Sequence, residues 1–113
     1  MKRSAQFHIV LVTAPNRRVA RRLAGCALQA RAAACANLVS GVESHYWWKG
    51  RVQSGAEVLV IFKTIKKHLR QLEELVLVNH PYDTPEFVVL PLVGGNGRYL
   101  DWLARSVRKS PGD

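Results

Sequence analysis

Apolar and polar positions follow two rhythms along this chain. Phe7 to Thr13 is a nearly unbroken apolar run rich in β-branched residues, and it stops at Ala14-Pro15-Asn16, the pattern of a buried strand running into a helix. Asn16 suits the N-cap of that helix. Val19, Leu23, Ala27 and Ala30 then recur every three or four positions with Arg18, Arg21 and Arg22 between them, which predicts an amphipathic helix. A β-rich segment follows from Asn37 to Trp48, interrupted by Gly41, then a Lys49-Gly50 hairpin turn and a return strand from Arg51 to about Thr64. Ser54-Gly55 reads as a bulge or bend in the return strand. The mostly apolar stretch Glu57 to Phe62 marks that strand as central.

The helical period returns from Lys66 to Val78, with Leu69, Leu72, Leu75 and Val76 on the inward side, and His80-Pro81 ends it. After Tyr82-Asp83-Thr84-Pro85 comes a strand from Glu86 to Leu92, then a flexible turn at Gly94-Gly95-Asn96-Gly97. Tyr99, Leu100, Leu103 and Val107 mark a last helix. The order β-α-β-β-α-β with an added C-terminal helix is closed most simply by two layers, an α+β, ferredoxin-like sandwich of one sheet and two helices. The chain of 113 residues reads as one domain, 1–113, with loose ends at 1–6 and 110–113.

Tyr46, Trp47 and Trp48 change that picture. Neighbouring strand residues point to opposite faces, so Trp47 lies on one face and Tyr46 and Trp48 on the other. A small antiparallel sheet normally leaves one face polar and wet, so aromatics on both call for a cover such as a second subunit or a ligand.

Composition narrows the function classes. No stretch approaches the roughly 20 apolar residues of a membrane span, and no secretory apolar region opens the chain, which predicts a cytoplasmic protein without a membrane partner. Cys26 and Cys35 stand nine positions apart with no CxxC spacing, which fits reduced thiols rather than a disulfide framework or zinc knuckle. Seventeen Lys plus Arg against eight Asp plus Glu give +9, which raises a nucleic-acid or anion-binding module as an alternative. The clusters Arg17-Arg18-Arg21-Arg22, Lys63-Lys66-Lys67-Arg70 and Arg105-Arg108-Lys109 carry no interleaved aromatics for base stacking, so solvated helix faces account for most of them. Arg17 and Arg18 oppose the dipole of the first helix.

Catalytic motifs are absent: there is no GxSxG, Walker loop or carboxylate pair at useful spacing. An enzyme pairing Cys35 with His80 is the remotest alternative. Among metal-ligating residues, His8 and His68 read as structural or solvated, His45 as a packing partner on the face of Trp47, and Cys26 as a small buried hydrophobe. Cys35 reads first as a core position. His80, at a helix end beside Pro81, suits either a cation ligand or a cap on the last helical carbonyls.

Taken in order, Val12-Thr13-Ala14-Pro15, Ala33-Ala34-Cys35-Ala36-Asn37, Tyr46-Trp47-Trp48-Lys49-Gly50-Arg51, Lys63-Thr64, His80-Pro81-Tyr82 with Thr84-Pro85-Glu86, and Tyr99-Leu100-Asp101-Trp102 resemble the CutA family of divalent-cation tolerance proteins. The likeness runs from about Phe7 to Val107. It implies a non-enzymatic, cytoplasmic homotrimer similar in architecture to the PII signalling proteins, in which long hairpins complete intersubunit sheets and the protein takes part in the response to copper and other divalent metal ions. It implies further that Cys35 and His80 are the metal residues, that Tyr46, Trp48, Lys63 and Glu86 line an intersubunit cleft for a metal or small ligand, and that Tyr46, Trp47 and Trp48 form the trimer interface. Some bacterial relatives carry a cysteine and a second histidine where this chain has Val12 and Asn79, so copper or another divalent cation is expected to bind weakly, with no organic cofactor.

Overall fold

In the computed structural model, which describes residues 1–108, the two rhythms resolve into strands β1 (Lys2–Arg3), β2 (Phe7–Ala14), β3 (Cys35–Trp48), β4 (Arg51–Ile65), β5 (Val88–Pro91) and β6 (Gly94–Gly95), with helices α1 (Arg17–Gln29), α2 (Leu69–Asn79) and α3 (Gly97–Ser106). A single 3-10 turn, Lys66–His68, leads into α2. The main sheet is antiparallel in the order β3-β4-β2-β5. This is the ferredoxin-like α+β arrangement that the element order implied.

Alternation along the central strands decides what each face carries. Val10, Val12 and Ala14 of β2 and Val58, Val60 and Phe62 of β4 point to one face, where α1 supplies Val19, Ala20, Leu23 and Ala27 and α2 supplies Leu72 and Val76. The helices run antiparallel across this face. Arg22 near the start of α1 donates to the carbonyl of Asn79 at the end of α2, and Gln71 near the start of α2 donates to Ala30 at the end of α1. Helix α1 begins as expected, with the side-chain oxygen of Asn16 accepting from the Val19 N–H at 2.9 Å.

On the opposite face the described residues cover one end. Helix α3 lays Leu100 and Leu103 over Phe7, with Ile65, Leu92 and Ala34 at the margin. The remaining rows, Ile9, Leu11, Leu59 and Ile61 with Val39, Val88 and Leu90 at the sheet edges, are apolar and partly or fully exposed. Beyond the Val42–Glu57 pair, β3 and β4 continue without a third strand to the Trp48–Arg51 pair, an arm about 20 Å long. It closes through Lys49 and Gly50, both at positive φ (51° and 75°), the two-residue turn that matches strand twist. The arm explains why the radius of gyration is 15.0 Å, against about 13 Å for a compact chain of this length.

Three details differ from the sequence expectations. The bulge lies in β3, not at Ser54-Gly55: Ser40 and Gly41 of β3 lie between Val39 and Val42, while Val58 alone of β4 lies between Leu59 and Glu57. Gly41 takes the left-handed conformation there (φ 77°), whereas Ser54 and Gly55 stay in regular pairs with His45 and Ser44. Within 1–6, expected to be loose, Lys2 and Arg3 pair with Gly95 and Gly94, and Lys2 bonds Asp101 at 2.8 Å. The expected flexible turn is therefore partly strand, and Asn96 behind it caps α3 by accepting from the Arg98 and Tyr99 N–H groups. The expected loose tail at 110–113 lies outside the described residues.

Two glycines test this packing in opposite directions. A Cβ on Gly94 would sit 2.6 Å from the Lys2 carbonyl oxygen, so Gly94→Ala is expected to separate β1 from β6 and cost about 1–3 kcal/mol. Gly25, inside α1 with nothing near its Cβ position, should gain about 0.5–1 kcal/mol on substitution by Ala. Urea midpoints at one protein concentration measure both.

Candidate functional site: a carboxylate cleft under the aromatic hairpin

The chain leaves α2 at His80 with extended backbone (φ −89°, ψ 136°), which turns the imidazole back toward the sheet. The ring is only 8% exposed, and both of its nitrogens are engaged. Nδ1 accepts from the Tyr82 backbone N–H at 3.1 Å, which places the proton on Nε2, and Nε2 donates to the Thr13 carbonyl at 2.7 Å. The imidazole thus ties the end of β2 to the loop after α2. It neither caps the last carbonyls of α2 nor offers a free lone pair to a metal, which departs from both expectations for His80.

Held by this brace, Tyr82 leans on the His80 ring, with centroids 4.6 Å apart, and donates its hydroxyl to Glu57 Oε2 at 2.9 Å. Its phenol is pushed up to about 12 by burial, by the hydrogen bond to Glu57 and by the charges of Glu57 and Tyr46. The carboxyl of Glu86 is also raised, first by burial and then by the negative charge of Glu57. Tyr82 and Glu86 of the loop after α2 line a cleft of about 920 Å³ together with Glu57 of β4 and the β3 residues Glu43 to Trp48. Along β3, His45 Nε2 pairs with Glu43 Oε2 at 2.7 Å.

The structure sorts the expected site residues into two groups. Tyr46, Trp47, Trp48 and Glu86 all line the cleft. Cys35 and Lys63 do not: they pair with each other in the row of Ile9, where Lys63 Nζ lies 5.6 Å from the Tyr99 ring centre and 3.4 Å from its hydroxyl. Cys35 Sγ donates to Asn37 Oδ1 at 3.8 Å. Thr13 is four positions further along β2 than Ile9, so about 13 Å of strand lies between the row of Cys35 and the His80 brace. One chain does not bring the two together, and among the described residues no three His, Cys, Asp or Glu side chains converge to hold a metal.

His68, expected on an exposed helix face, is buried at 9% exposure because the 3-10 turn before α2 rolls it inward. Both cysteines are free and partly buried. Glu57 and Tyr82 were not singled out from the sequence, although a lone carboxylate at the head of the apolar run Glu57–Phe62 was a visible anomaly.

Replacing His80 by Ala should lower stability by about 2 kcal/mol or more, since the Thr13 carbonyl and the Tyr82 N–H both lose their partner; urea unfolding reads this. Glu57→Gln should bring the most basic tyrosine ionisation down part of the way from about 12, because the carboxylate contribution goes and burial stays. An ultraviolet titration that finds it unmoved removes Glu57 from the environment of Tyr82.

A profile of the CutA1 divalent ion tolerance proteins matches residues 8–106. The chain is 50% identical to the chloroplastic protein CutA 1 of Oryza sativa subsp. japonica over 102 residues, covering 90% of this chain and 58% of that longer protein. It is 42% identical to the divalent-cation tolerance protein CutA of Pectobacterium atrosepticum over 88% of this chain and 91% of the relative. The crystal structure of CutA1 from Oryza sativa superposes with a TM-score of 0.89 at 48% identity, covering 95% of this chain and 98% of that one. The family is described by tolerance to divalent ions and not by a catalysed reaction. With a matching profile over nearly its whole length and the same fold, the chain belongs to the CutA1 family of divalent ion tolerance proteins.

Proposed function

We propose that this protein binds divalent cations in the response to metal ions, that it does so as a homotrimer, and that the cation sits in the cleft between the hairpin and the Tyr82–Glu86 loop. One observation carries the reading: Glu57 and Glu86 face the same partly desolvated cleft closely enough for one charge to raise the other carboxyl. A divalent cation between them offsets that repulsion. Two carboxylates are fewer ligands than a metal takes, so the site is incomplete in one chain. The apolar open face and the unsupported arm favour further copies as the source of the rest. In this reading Cys35 and Lys63, remote from the carboxylates within one chain, reach the cleft from a neighbouring copy. Copper(II) stands highest in the affinity order for such a mixed donor set, ahead of other divalent ions, and binding is weak because no thiolate-histidine cluster is built in advance. A cytoplasmic setting fits the two free thiols, and among the described residues no helix is long and apolar enough to cross a membrane.

Light scattering should return three times the chain mass, and Leu11→Glu with Val88→Glu on the open face should reduce it to one. A wild-type monomer at micromolar concentration would sink the assembly reading. In calorimetric titration with Cu²⁺, Glu57→Gln with Glu86→Gln should weaken binding about tenfold or more, whereas His80→Ala, refolded and assembled, should weaken it less, because the imidazole positions Tyr82 beside Glu57 and is not itself a ligand. Protons and cation compete for the same carboxylates. Because the carboxyl of Glu86 is raised, the proton wins at a higher pH than for an ordinary glutamate, so affinity should fall with acidification from above the usual carboxylate range. Equal binding by the double variant and wild type, or no loss on acidification, places the cation elsewhere.

A further inference from the structure

The opposite pole of the molecule carries a second cavity, with the reverse electrostatic character. It holds about 610 Å³ between the Lys66–His68 turn and the C-terminal end of α3. Ile65, Ala104 and Val107 form an apolar floor, and Lys67, His68 and Arg108 are the charged or titratable groups around it. Among the described residues no carboxylate lines it. Among the described residues the side chains of Lys67 and Arg108 make no ion pair or hydrogen bond, since the ion pairs are Lys2–Asp101 and His45–Glu43.

Two further features make this more than a solvated basic face. The first turn leading into α2 contains no acidic residue and no side-chain cap, and instead places Lys66, Lys67 and His68 at the positive end of the helix. Helix α1 also starts with cations, but Asn16 caps it. The second feature is His68. Gln71 directs its amide nitrogen to the Ala30 carbonyl at 3.3 Å, so its oxygen faces His68 Nδ1 at 3.3 Å and that nitrogen carries the proton. Nε2 of this nine-tenths buried ring has no partner among the described residues, and the ring lines the cavity.

We propose that this cavity binds a small organic phosphate monoester. Its phosphate is held by Lys67 and Arg108 at the uncapped end of α2, and its apolar part rests on Ile65, Ala104 and Val107. Arginine offers a planar fork and lysine a point charge, a pair suited to a doubly charged, three-oxygen group more than to a single carboxylate. In its singly protonated form a phosphate monoester also keeps one O–H that can donate to Nε2 of His68 while its other oxygens face Lys67 and Arg108; a carboxylate has no such hydrogen. The volume exceeds what a bare phosphate fills and falls within the usual range for small-molecule sites. The cavity adjoins Gln6, at the other end of β2 from Thr13 and about 20 Å from the carboxylate cleft, so it stands independently of the cation reading.

The test is titration of the whole chain with phenyl phosphate, inorganic phosphate and benzoate, in the presence of a metal chelator, followed by calorimetry and by the His68 ring resonances. Phenyl phosphate should bind tightest and shift His68. Lys67→Gln with Arg108→Gln should weaken it about tenfold or more, while Arg17→Gln with Arg18→Gln, the same loss of charge elsewhere, should leave it unchanged. Both pairs are exposed, and circular dichroism confirms that the variants fold. Equal weakening by the two pairs, benzoate binding as tightly as phenyl phosphate, an unmoved His68, or no binding at low salt each overturns the proposal. So does an RNA oligonucleotide whose binding falls equally with either pair, since that is diffuse charge attraction.

Discussion

The structure turns on a pair of strands longer than the sheet that supports them. Strand β4 pairs with β2 only from Val58 to Ile65, yet it extends back to Arg51, and β3 follows it the whole way. A two-stranded ribbon in water is marginal, because each strand has one unpaired edge and neither face has a layer over it. Here both faces of the ribbon are also aromatic or apolar: Trp47 and its cross-strand partner Val52 are 75% and 60% exposed, and Tyr46 and Trp48 lie on the other side. The Gly41 bulge sits where the ribbon leaves the sheet, and bulges bend and twist a strand. The arm is thus re-aimed at the point where it loses support. Its exposed aromatics and the bare rows of Ile9, Leu11, Leu59 and Ile61 make one demand, a partner surface, and they make it in the same molecule.

Much of the fold was legible because its signals are local. Asn16 caps α1, Lys49-Gly50 closes the hairpin, and the alternation of β2 and β4 divides the sheet into a helix face and an open face. The misplaced bulge shows where local reading fails. Gly41 and Gly55 are equally permissive, and only cross-strand register, a property of two segments together, selects the first. Lys2 and Arg3 carry no strand pattern of their own. They pair with Gly94 and Gly95, and the close approach is open because Gly94 has no side chain to meet the Lys2 carbonyl, a contact between opposite ends of the chain.

The site divides along the same line. Tyr46, Trp48 and Glu86 do meet in the cleft, since the hairpin and the loop after α2 are brought to one end of the sheet by the topology itself. His80 was visible as an unusual residue, but its role depends on what lies opposite. A histidine at a helix end looks the same in sequence whether its nitrogens face solvent, a metal or a carbonyl, and here the Thr13 carbonyl and the Tyr82 N–H occupy both. This makes His80 a positioning residue. It holds Tyr82 where the phenol can reach Glu57, and so helps keep one carboxylate hydrogen-bonded beside another that burial already raises.

Net charge hides how unevenly the charges are placed. A surplus of +9 reads as a uniformly basic surface, yet among the described residues the cleft at the Thr13 end is lined by Glu43, Glu57, Asp83 and Glu86 with no Lys or Arg, and the cavity at the Gln6 end by Lys67 and Arg108 with no Asp or Glu. Strand β2 separates the two, with its residues in alternation committed to the core on one side. Opposite charges at the two ends of one strand would gain little from each other, because about 20 Å exceeds the screening length at physiological salt. Each set instead keeps its own field, unneutralised by the other. At the acidic end the charge of Glu57 raises the carboxyl of Glu86, a repulsion that a cation would relieve, while Lys67 and Arg108 at the other end would attract a ligand of the opposite sign.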